Sequence, residues 1–217
     1  MKEKVGEVFS IAKDNKAVPG CTISKSVHSG ENSIVYFSLA QNTDISAEIF
    51  PYHKFILVNE GELEVYGNSF DAKTIKTGES ILTLTDTPVG MRTTEGSIYT
   101  EIEIRRTDIM NSAINAGEVF KLADLVPYQD DKIVNMDVVH NDKMKFVLMA
   151  FDAGTGLSEH AAPGEAIIFA LDGEGIISYE GKDYEIHAGE NFHFAKGGLH
   201  AVKANSKFKM ALLLTLG

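Results

Sequence analysis

The sequence predicts an all-β protein built from two tandem barrels, one in residues 1–106 and the other in residues 107–217. The first observation is an internal repeat that relates the two halves of the chain. The second is a succession of short runs rich in β-branched and aromatic residues, which Gly, Asp and Asn interrupt at short intervals. Because exposed strand edges invite aggregation, many short strands favour closure into barrels.

The repeat keeps nearly the same offset over the whole half-chain, 111 residues at Gly6 and Gly117 and 112 residues at Val27 and Val139. Further matched positions are Pro51 with Pro163, Gly61-Glu62 with Gly173-Glu174, and Gly78-Glu79 with Gly189-Glu190. Chance would not hold one register over such a distance. We therefore expect two copies of one module, joined near residues 106–116.

Each module is expected to consist of short strands and tight turns. In the second copy the predicted strands are 133–140, 145–151, 166–171, 175–179, 182–186, 191–194, 200–204 and 207–216. Asp172-Gly173 and Glu180-Gly181 are predicted turns between strands. Helical signal is short and confined to the module starts, around Val119–Leu125.

The net charge of −11 argues against nucleic acid and anionic membrane as partners, because the phosphate groups would be repelled. Cys21 is the only cysteine, so no disulfide can form within the chain. No apolar run near the N-terminus indicates a signal peptide, and no run approaches the ~18 residues of a spanning helix. We therefore expect a cytoplasmic protein.

Two segments of the second copy carry chemically informative residues. The first extends from Gly154 to Gly173 and contains His160, and the second contains Gly189, Gly197 and His200. These segments resemble the two conserved motifs of the cupin superfamily. The second motif matches at the family spacing, although Ala195 replaces the usual proline and Asn205 lies one place late. Through the repeat the resemblance covers nearly the whole chain, which therefore looks like a bicupin.

The resemblance implies a double-stranded β-helix, or jelly-roll, whose mouth often binds a metal through three histidines and a glutamate. His160 fills the first histidine position and His200 the last, whereas Ala162 occupies the second. The glutamate position falls on Ala166, with Glu165 one residue early. Imidazole and carboxylate donors suit a divalent transition metal such as Mn, Fe, Ni or Zn, which is a possible cofactor here.

Glu165 and His193 are the candidates that would complete a metal site with His160 and His200. Glu165 points inward only if the turn at Pro163-Gly164 shifts the strand register, because one step along a strand reverses the side chain. His193 lies between Phe192 and Phe194 and points outward if the phenylalanines fill the barrel.

The predicted pocket of the second barrel is small and apolar, with the imidazoles as its polar groups. Its expected lining residues are Ala162, Ala166, Phe192 and Phe194. In the first copy Glu48 aligns with His160 and Val89 with His200, so the first barrel is expected to have a degenerate site and to serve as a scaffold or an apolar pocket.

Three functions remain open at this point. The chain is a bicupin that binds a small-molecule ligand in the second barrel, or a metal-dependent oxygenase, isomerase or decarboxylase that acts on a small organic acid or phenol, or a structural or interaction protein. No phosphate-binding glycine loop is present, so no nucleotide cofactor is expected. A monomer and a homodimer are equally compatible with two barrels in one chain.

Overall fold

The computed structural model describes residues 1–216 and is almost entirely β-structure. Its helical segments are the single turn α1 (Ile11–Asp14), which the Ser10 side chain caps, and a 3₁₀ turn at Leu122–Asp124. Among these residues, no helix has the length and apolar character needed to cross a membrane.

The strands follow one another closely along the chain. They are β1 (Val8–Phe9), β2 (Thr22–His28), β3 (Ile34–Leu39), β4 (Thr43–Ile49), β5 (His53–Tyr66), β6 (Lys73–Lys76), β7 (Glu79–Leu82), β8 (Pro88–Thr93), β9 (Ser97–Ile104), β10 (Ile109–Met110), β11 (Val119–Lys121), β12 (Ile133–His140), β13 (Met144–Phe151), β14 (Gly156–Ala161), β15 (Glu165–Tyr179), β16 (Lys182–His187), β17 (Asn191–Phe194), β18 (Leu199–Lys203) and β19 (Phe208–Thr215).

These strands form two jelly-roll barrels of the same topology. In the N-terminal barrel, one face has the order β11-β7-β5-β9-β3-β2, and β4, β8, β5 and β6 form the other face. In the C-terminal barrel, the corresponding faces are β1-β17-β15-β19-β13-β12-β10 and β14-β18-β15-β16. The observed fold confirms the prediction of an all-β chain with two tandem double-stranded β-helix barrels.

Each barrel receives a short strand from the other half of the chain. Val8 in β1 pairs with Phe192 in β17, and Val119 in β11 pairs with Ile81 in β7. The two donated strands are repeat equivalents, because both follow the Gly-Glu dipeptide at the start of a module. Strand pairing therefore crosses the predicted division between residues 106 and 107 in both directions.

The long strands β5 and β15 belong to both faces of their barrels. The predicted turn at Asp172-Gly173 is wrong, because this dipeptide lies inside β15 at a bulge that bends the strand from one face to the other. Gly173 has a φ of +70°, which explains why glycine stands at the bend. The turn at Glu180-Gly181 is confirmed, since both residues have positive φ and join β15 to β16.

The helix expected around Val119–Leu125 is only partly present. Val119–Lys121 is the donated strand β11, and the 3₁₀ turn at Leu122–Asp124 follows it directly. Pairing with β7 determines the extended conformation, and this partner is distant in the sequence.

Apolar side chains form three cores, one inside each barrel and one between them. The core between the barrels contains Phe55 and Ile102 from the first half together with Phe146 and Ile167 from the second. Alternation along β5 and β15 explains this arrangement, because successive residues point to opposite faces of a strand. One face of each long strand therefore fills a barrel, and the other face joins the two barrels.

Candidate functional site

The site is built on β14 and β18, where His160 and His200 are direct cross-strand partners. Leu157 in β14 pairs with Val202 in β18, so three residues of β14 span the same distance as two residues of β18. Residues three positions apart on a regular strand point to opposite faces. Because of this bulge, the side chain of His160 points to the same face as that of Leu157. His200 lies two residues from the buried Val202 and therefore points into the barrel as well.

The two imidazoles lie against each other at the mouth of the C-terminal barrel. Their ring centroids are 4.2 Å apart, with 51° between the ring planes. His200 is only 6% exposed, whereas His160 is open to solvent. Phe194 stacks on His200 from inside the barrel, with a centroid distance of 4.1 Å and an interplanar angle of 28°. The pair is thus a polar group that solvent reaches at His160 and that packs on the ring of Phe194 at His200.

Backbone carbonyls determine the tautomer of both rings. His160 Nδ1 lies 2.9 Å from the Ser158 carbonyl oxygen, and His200 Nδ1 lies 3.2 Å from the Gly198 carbonyl oxygen. Because a carbonyl oxygen only accepts, each Nδ1 carries the proton and donates it. In the neutral tautomer that these hydrogen bonds select, each Nε2 atom has a lone pair available to a ligand.

Burial is the main cause that lowers the pKa of His200, and the neighbouring His160 lowers it further. The hydrogen bond to the Gly198 carbonyl opposes these effects. A histidine pKa below its ordinary value leaves the ring neutral at pH 7, so His200 presents an acceptor rather than a positive charge at neutral pH.

The residues predicted to line the pocket are all buried in the core of the C-terminal barrel. They are Ala162, Ala166, Phe192 and Phe194. Tyr179 completes the aromatic group, with its ring centroid 5.5 Å from that of Phe194. The small side chains at positions 162 and 166 therefore belong to the interior of this barrel.

Glu165 and His193 lie together on the opposite side of the sheet, away from the histidine pair. His193 donates from Nδ1 to the Glu3 carbonyl oxygen at 2.8 Å, and its Nε2 is 3.8 Å from Glu165 Oε1. The N-terminal ammonium of Met1 forms an ion pair with Glu165. The turn at Pro163-Gly164 does not shift the register, because Ala166 remains the residue that faces the barrel.

The four predicted metal ligands thus form two separate pairs. Within residues 1–216, no group of three or more His, Cys, Asp and Glu side chains is arranged to hold a metal ion. His160 and His200 alone supply two nitrogen donors, which is half of a four-coordinate zinc shell. The residues present therefore do not fit a tightly held resident metal.

Sequence analysis missed a charged pair inside the N-terminal barrel. Lys54 Nζ lies 3.2 Å from Glu101 Oε1, and both side chains are largely buried. The signal was available in the repeat, because the equivalent residues in the second copy are Ala166 and Leu212. Inward positions that are polar in the first copy and apolar in the second indicate that the interiors of the two barrels differ chemically.

Comparison with known proteins supports the relationship that the motifs indicate. Residues 147–216 match the family model described as Cupin domain. A solved structure, the Cupin 2 conserved barrel domain protein from Leptotrichia buccalis, superposes with a TM-score of 0.86 at 25% identity, over 99% of this chain and 98% of that one. Residues 147–216 are therefore a cupin domain, and the whole chain has the fold of a cupin barrel protein. The matched segment contains His200 and the residues predicted to line the pocket of the second barrel.

More distant solved structures share the fold alone. Salicylate 1,2-dioxygenase from Pseudaminobacter salicylatoxidans is 12% identical, with a TM-score of 0.61 over 84% of this chain and 70% of that one. AerE from Microcystis aeruginosa is 16% identical, with a TM-score of 0.56 over 92% of this chain and 95% of that one. No curated protein matches the sequence.

Proposed function

We propose that this protein is a bicupin that binds a small organic molecule at the mouth of its C-terminal barrel. The observation that carries the proposal is the His160–His200 pair, in which backbone carbonyls orient both rings and neither Nε2 atom has a hydrogen-bond partner among residues 1–216. Oriented acceptors on an apolar floor are the usual composition of a small-molecule site.

The chemistry of the pair favours a ligand that carries a hydroxyl group on an aromatic or apolar body. With the proton on Nδ1, the Nε2 atom of each ring accepts a hydrogen bond, so the pair selects an O–H or N–H donor. Phe194 is buried beneath His200, so the surroundings of the pair are apolar and suit an apolar ligand body. A small phenol or hydroxy acid satisfies both requirements, whereas a compound without a donor leaves the Nε2 atoms unpaired.

Two features support the bicupin part of the proposal, with modules of residues 1–106 and 107–217. The repeat offset holds across the half-chain, and both barrels have the same strand order. The shared core between the barrels also supports a chain that pairs its own modules, either as a monomer or as one subunit of a homodimer.

Isothermal titration calorimetry with a panel of phenols and hydroxy acids, including salicylate, tests the proposal. We expect at least one compound to bind the native protein, and we expect the substitutions His160→Ala and His200→Ala each to weaken it about tenfold or more. His187→Ala is the matched control, because His187 is an exposed histidine at the end of β16. Equal loss in the control, or no binding by any compound, would contradict the proposal.

A metal-dependent enzyme is the second candidate, since the free Nε2 atoms are also the atoms that would coordinate a metal. The fold shared with a salicylate dioxygenase supports keeping this candidate. Elemental analysis of the native protein decides between the two. Stoichiometric metal that disappears in both histidine variants would overturn the metal-free proposal, whereas ligand binding without metal would support it.

A further inference from the structure

The mouth of the N-terminal barrel contains a buried pair of opposite charges. Lys54 lies on the same face of β5 as the core residues Ile56 and Val58, and Glu101 pairs across the sheet with Ile56. Both charged side chains therefore point into the barrel. The exposed fractions are 9% for the Lys54 side chain and 13% for that of Glu101, so a small part of each remains in contact with solvent.

Several polar atoms around this pair have unused hydrogen-bonding capacity. Among residues 1–216, Glu101 Oε2 and the Tyr99 hydroxyl are buried and have no hydrogen-bond partner. The Lys54 ammonium has three N–H donors, and its ion pair with Glu101 Oε1 accounts for one of them. Buried polar atoms without partners are rare in folded proteins and point to a ligand or an ordered water.

Aromatic rings and further carboxylates surround the charged pair. The Lys54 ammonium lies 4.2 Å from the ring centroid of Phe50, and the Tyr52 ring is 5.1 Å from that of Phe50. Burial raises the pKa of Tyr52, and the carboxylates of Glu103, Glu101 and Glu48 raise it further, so all three are within electrostatic range of the Tyr52 hydroxyl. Glu103 is the cross-strand partner of Lys54 and also forms an ion pair with Arg105.

These charges restrict the class of ligand. Because Lys54 and Glu101 form one largely buried ion pair, an anion would be repelled by Glu101 and a cation by Lys54, and either would have to compete with the existing pair. A neutral hydroxyl group meets both needs, because it donates to Glu101 Oε2 and accepts from the Lys54 ammonium at the same time. The rings of Phe50 and Tyr52 provide apolar surface for a carbon skeleton.

We propose that the mouth of the N-terminal barrel is a second ligand site, which binds a small neutral polyhydroxylated molecule such as a monosaccharide or a polyol. Lys54 and Glu101 anchor adjacent hydroxyl groups, and Tyr99 supplies a further hydroxyl from the barrel interior. The site is independent of the histidine pair, which lies in the other barrel.

The repeat provides an internal comparison for this proposal. Residues Ala166, Leu212, Leu214 and Met210 of the C-terminal barrel occupy the positions of Lys54, Glu101, Glu103 and Tyr99. At the positions of His160 and His200, the N-terminal barrel instead has Glu48 and Val89. These two residues are also cross-strand partners, and the same bulge precedes them. The two barrels therefore carry different polar groups on one scaffold, which favours two different ligands.

Saturation-transfer difference NMR on the whole chain tests the proposal, with D-glucose, D-galactose, myo-inositol and sorbitol as neutral probes. Gluconate and glucosamine serve as the anionic and cationic analogues. We expect at least one neutral probe to bind, about tenfold or more tightly than either charged analogue. Absence of binding by every neutral probe, or a preference for gluconate or glucosamine, would overturn the proposal.

Variants then assign the binding to this site. We expect Glu101→Gln to weaken the neutral probe about tenfold. The double variant with Lys54→Met and Glu101→Leu, which gives the mouth the apolar character of the second barrel, should abolish binding while its circular dichroism stays native. His200→Ala is the matched control and should leave sugar binding unchanged. Loss of binding in that control, or retained binding in the folded double variant, would assign the sugar to another place.

Discussion

Phe55 and Phe146 meet edge to face between the two barrels, with ring centroids 5.4 Å apart and an interplanar angle of 89°. Each ring comes from a different half of the chain, and both are fully buried. Phe120 and Phe169 continue the contact on either side. Because this cluster and the exchanged strands β1 and β11 join the two barrels, we expect the barrels to unfold as one cooperative unit.

The first prediction follows from that cluster. Phe146→Ala should lower the free energy of unfolding by about 3–5 kcal/mol, because it leaves a cavity and removes edge-to-face contacts. Urea denaturation followed by fluorescence and circular dichroism should show one transition for both barrels. Ile109→Ala is the control, since Ile109 is 61% exposed and its truncation should change stability by less than about 0.5 kcal/mol. Two separated transitions in the Phe146 variant would contradict cooperative unfolding.

The second prediction concerns the bend in β15. Gly173 and Gly189 both have positive φ, +70° and +87° respectively. A Cβ at Gly173 would lie 2.0 Å from the Lys207 carbonyl oxygen, whereas a Cβ at Gly189 meets nothing within 4 Å. Gly189→Ala should therefore cost about 1 kcal/mol and Gly173→Ala at least about 2 kcal/mol more, as thermal unfolding would measure.

The corresponding glycines of the N-terminal barrel provide an independent test of the same prediction. Gly61 corresponds to Gly173, and a Cβ there would lie 2.2 Å from the Gly96 carbonyl oxygen. Gly78 corresponds to Gly189 and has open space around it. If Gly61→Ala and Gly78→Ala cost the same, the bend does not require close backbone approach.

The fold could be predicted from the sequence because the repeat offset and the turn glycines depend on local chemistry. The sequence predicts a turn at Gly173 where the structure has a bend within β15, because a bulge and a hairpin use the same dipeptide. Strand β14 was not predicted, because its bulge between Leu157 and His160 breaks the alternation that marks a strand. Interaction with β18 determines that register, and β18 lies about 40 residues further along the chain.

The candidate site was predictable only in part, for the same reason. His160 and His200 could be identified from motif spacing, and their rings lie against each other in the structure. Glu165 could not be excluded as their neighbour without the strand register, which directs it to the N-terminus and His193. The Lys54–Glu101 pair depends on two strands that are distant in sequence, so only comparison of the copies could have indicated it.

The third prediction uses the lowered pKa of His200, whose main cause is burial. In the unfolded chain this histidine titrates near its ordinary pKa of about 6.5. Between that value and the lower pKa of the folded protein, the unfolded state binds more protons, so stability falls as pH decreases through this window. Above it, the contribution of His200 to stability is fully present.

Urea denaturation of the native protein and of His200→Gln over about pH 7.5 to about pH 5 measures this effect. The native protein should lose more stability than the variant as the pH falls, because glutamine does not titrate. Carboxylates affect both proteins equally, so the difference between the two curves isolates His200. Parallel curves would contradict the assignment.

The last prediction concerns the energy of the Lys54–Glu101 pair. Lys54→Met should lower the free energy of unfolding by about 3 kcal/mol at pH 7, because it leaves a carboxylate buried without its partner. Adding Glu101→Leu should recover most of that loss, since the second barrel is packed with Ala166 and Leu212 at these positions. A double-mutant cycle by urea denaturation measures the coupling.

The pH dependence of the Lys54→Met variant provides an independent check of the same pair. Burial already raises the pKa of Glu101 in the native protein, although Lys54 opposes that shift. A folded pKa above the unfolded value gives stability that is present at low pH and lost as the pH rises through the folded pKa. Without Lys54 the pKa should rise further, so the deficit of Lys54→Met relative to the native protein should shrink as the pH falls below neutrality. A deficit that stays constant with pH would show that lost packing of the lysine stem, and not the unpaired carboxylate, causes the destabilisation.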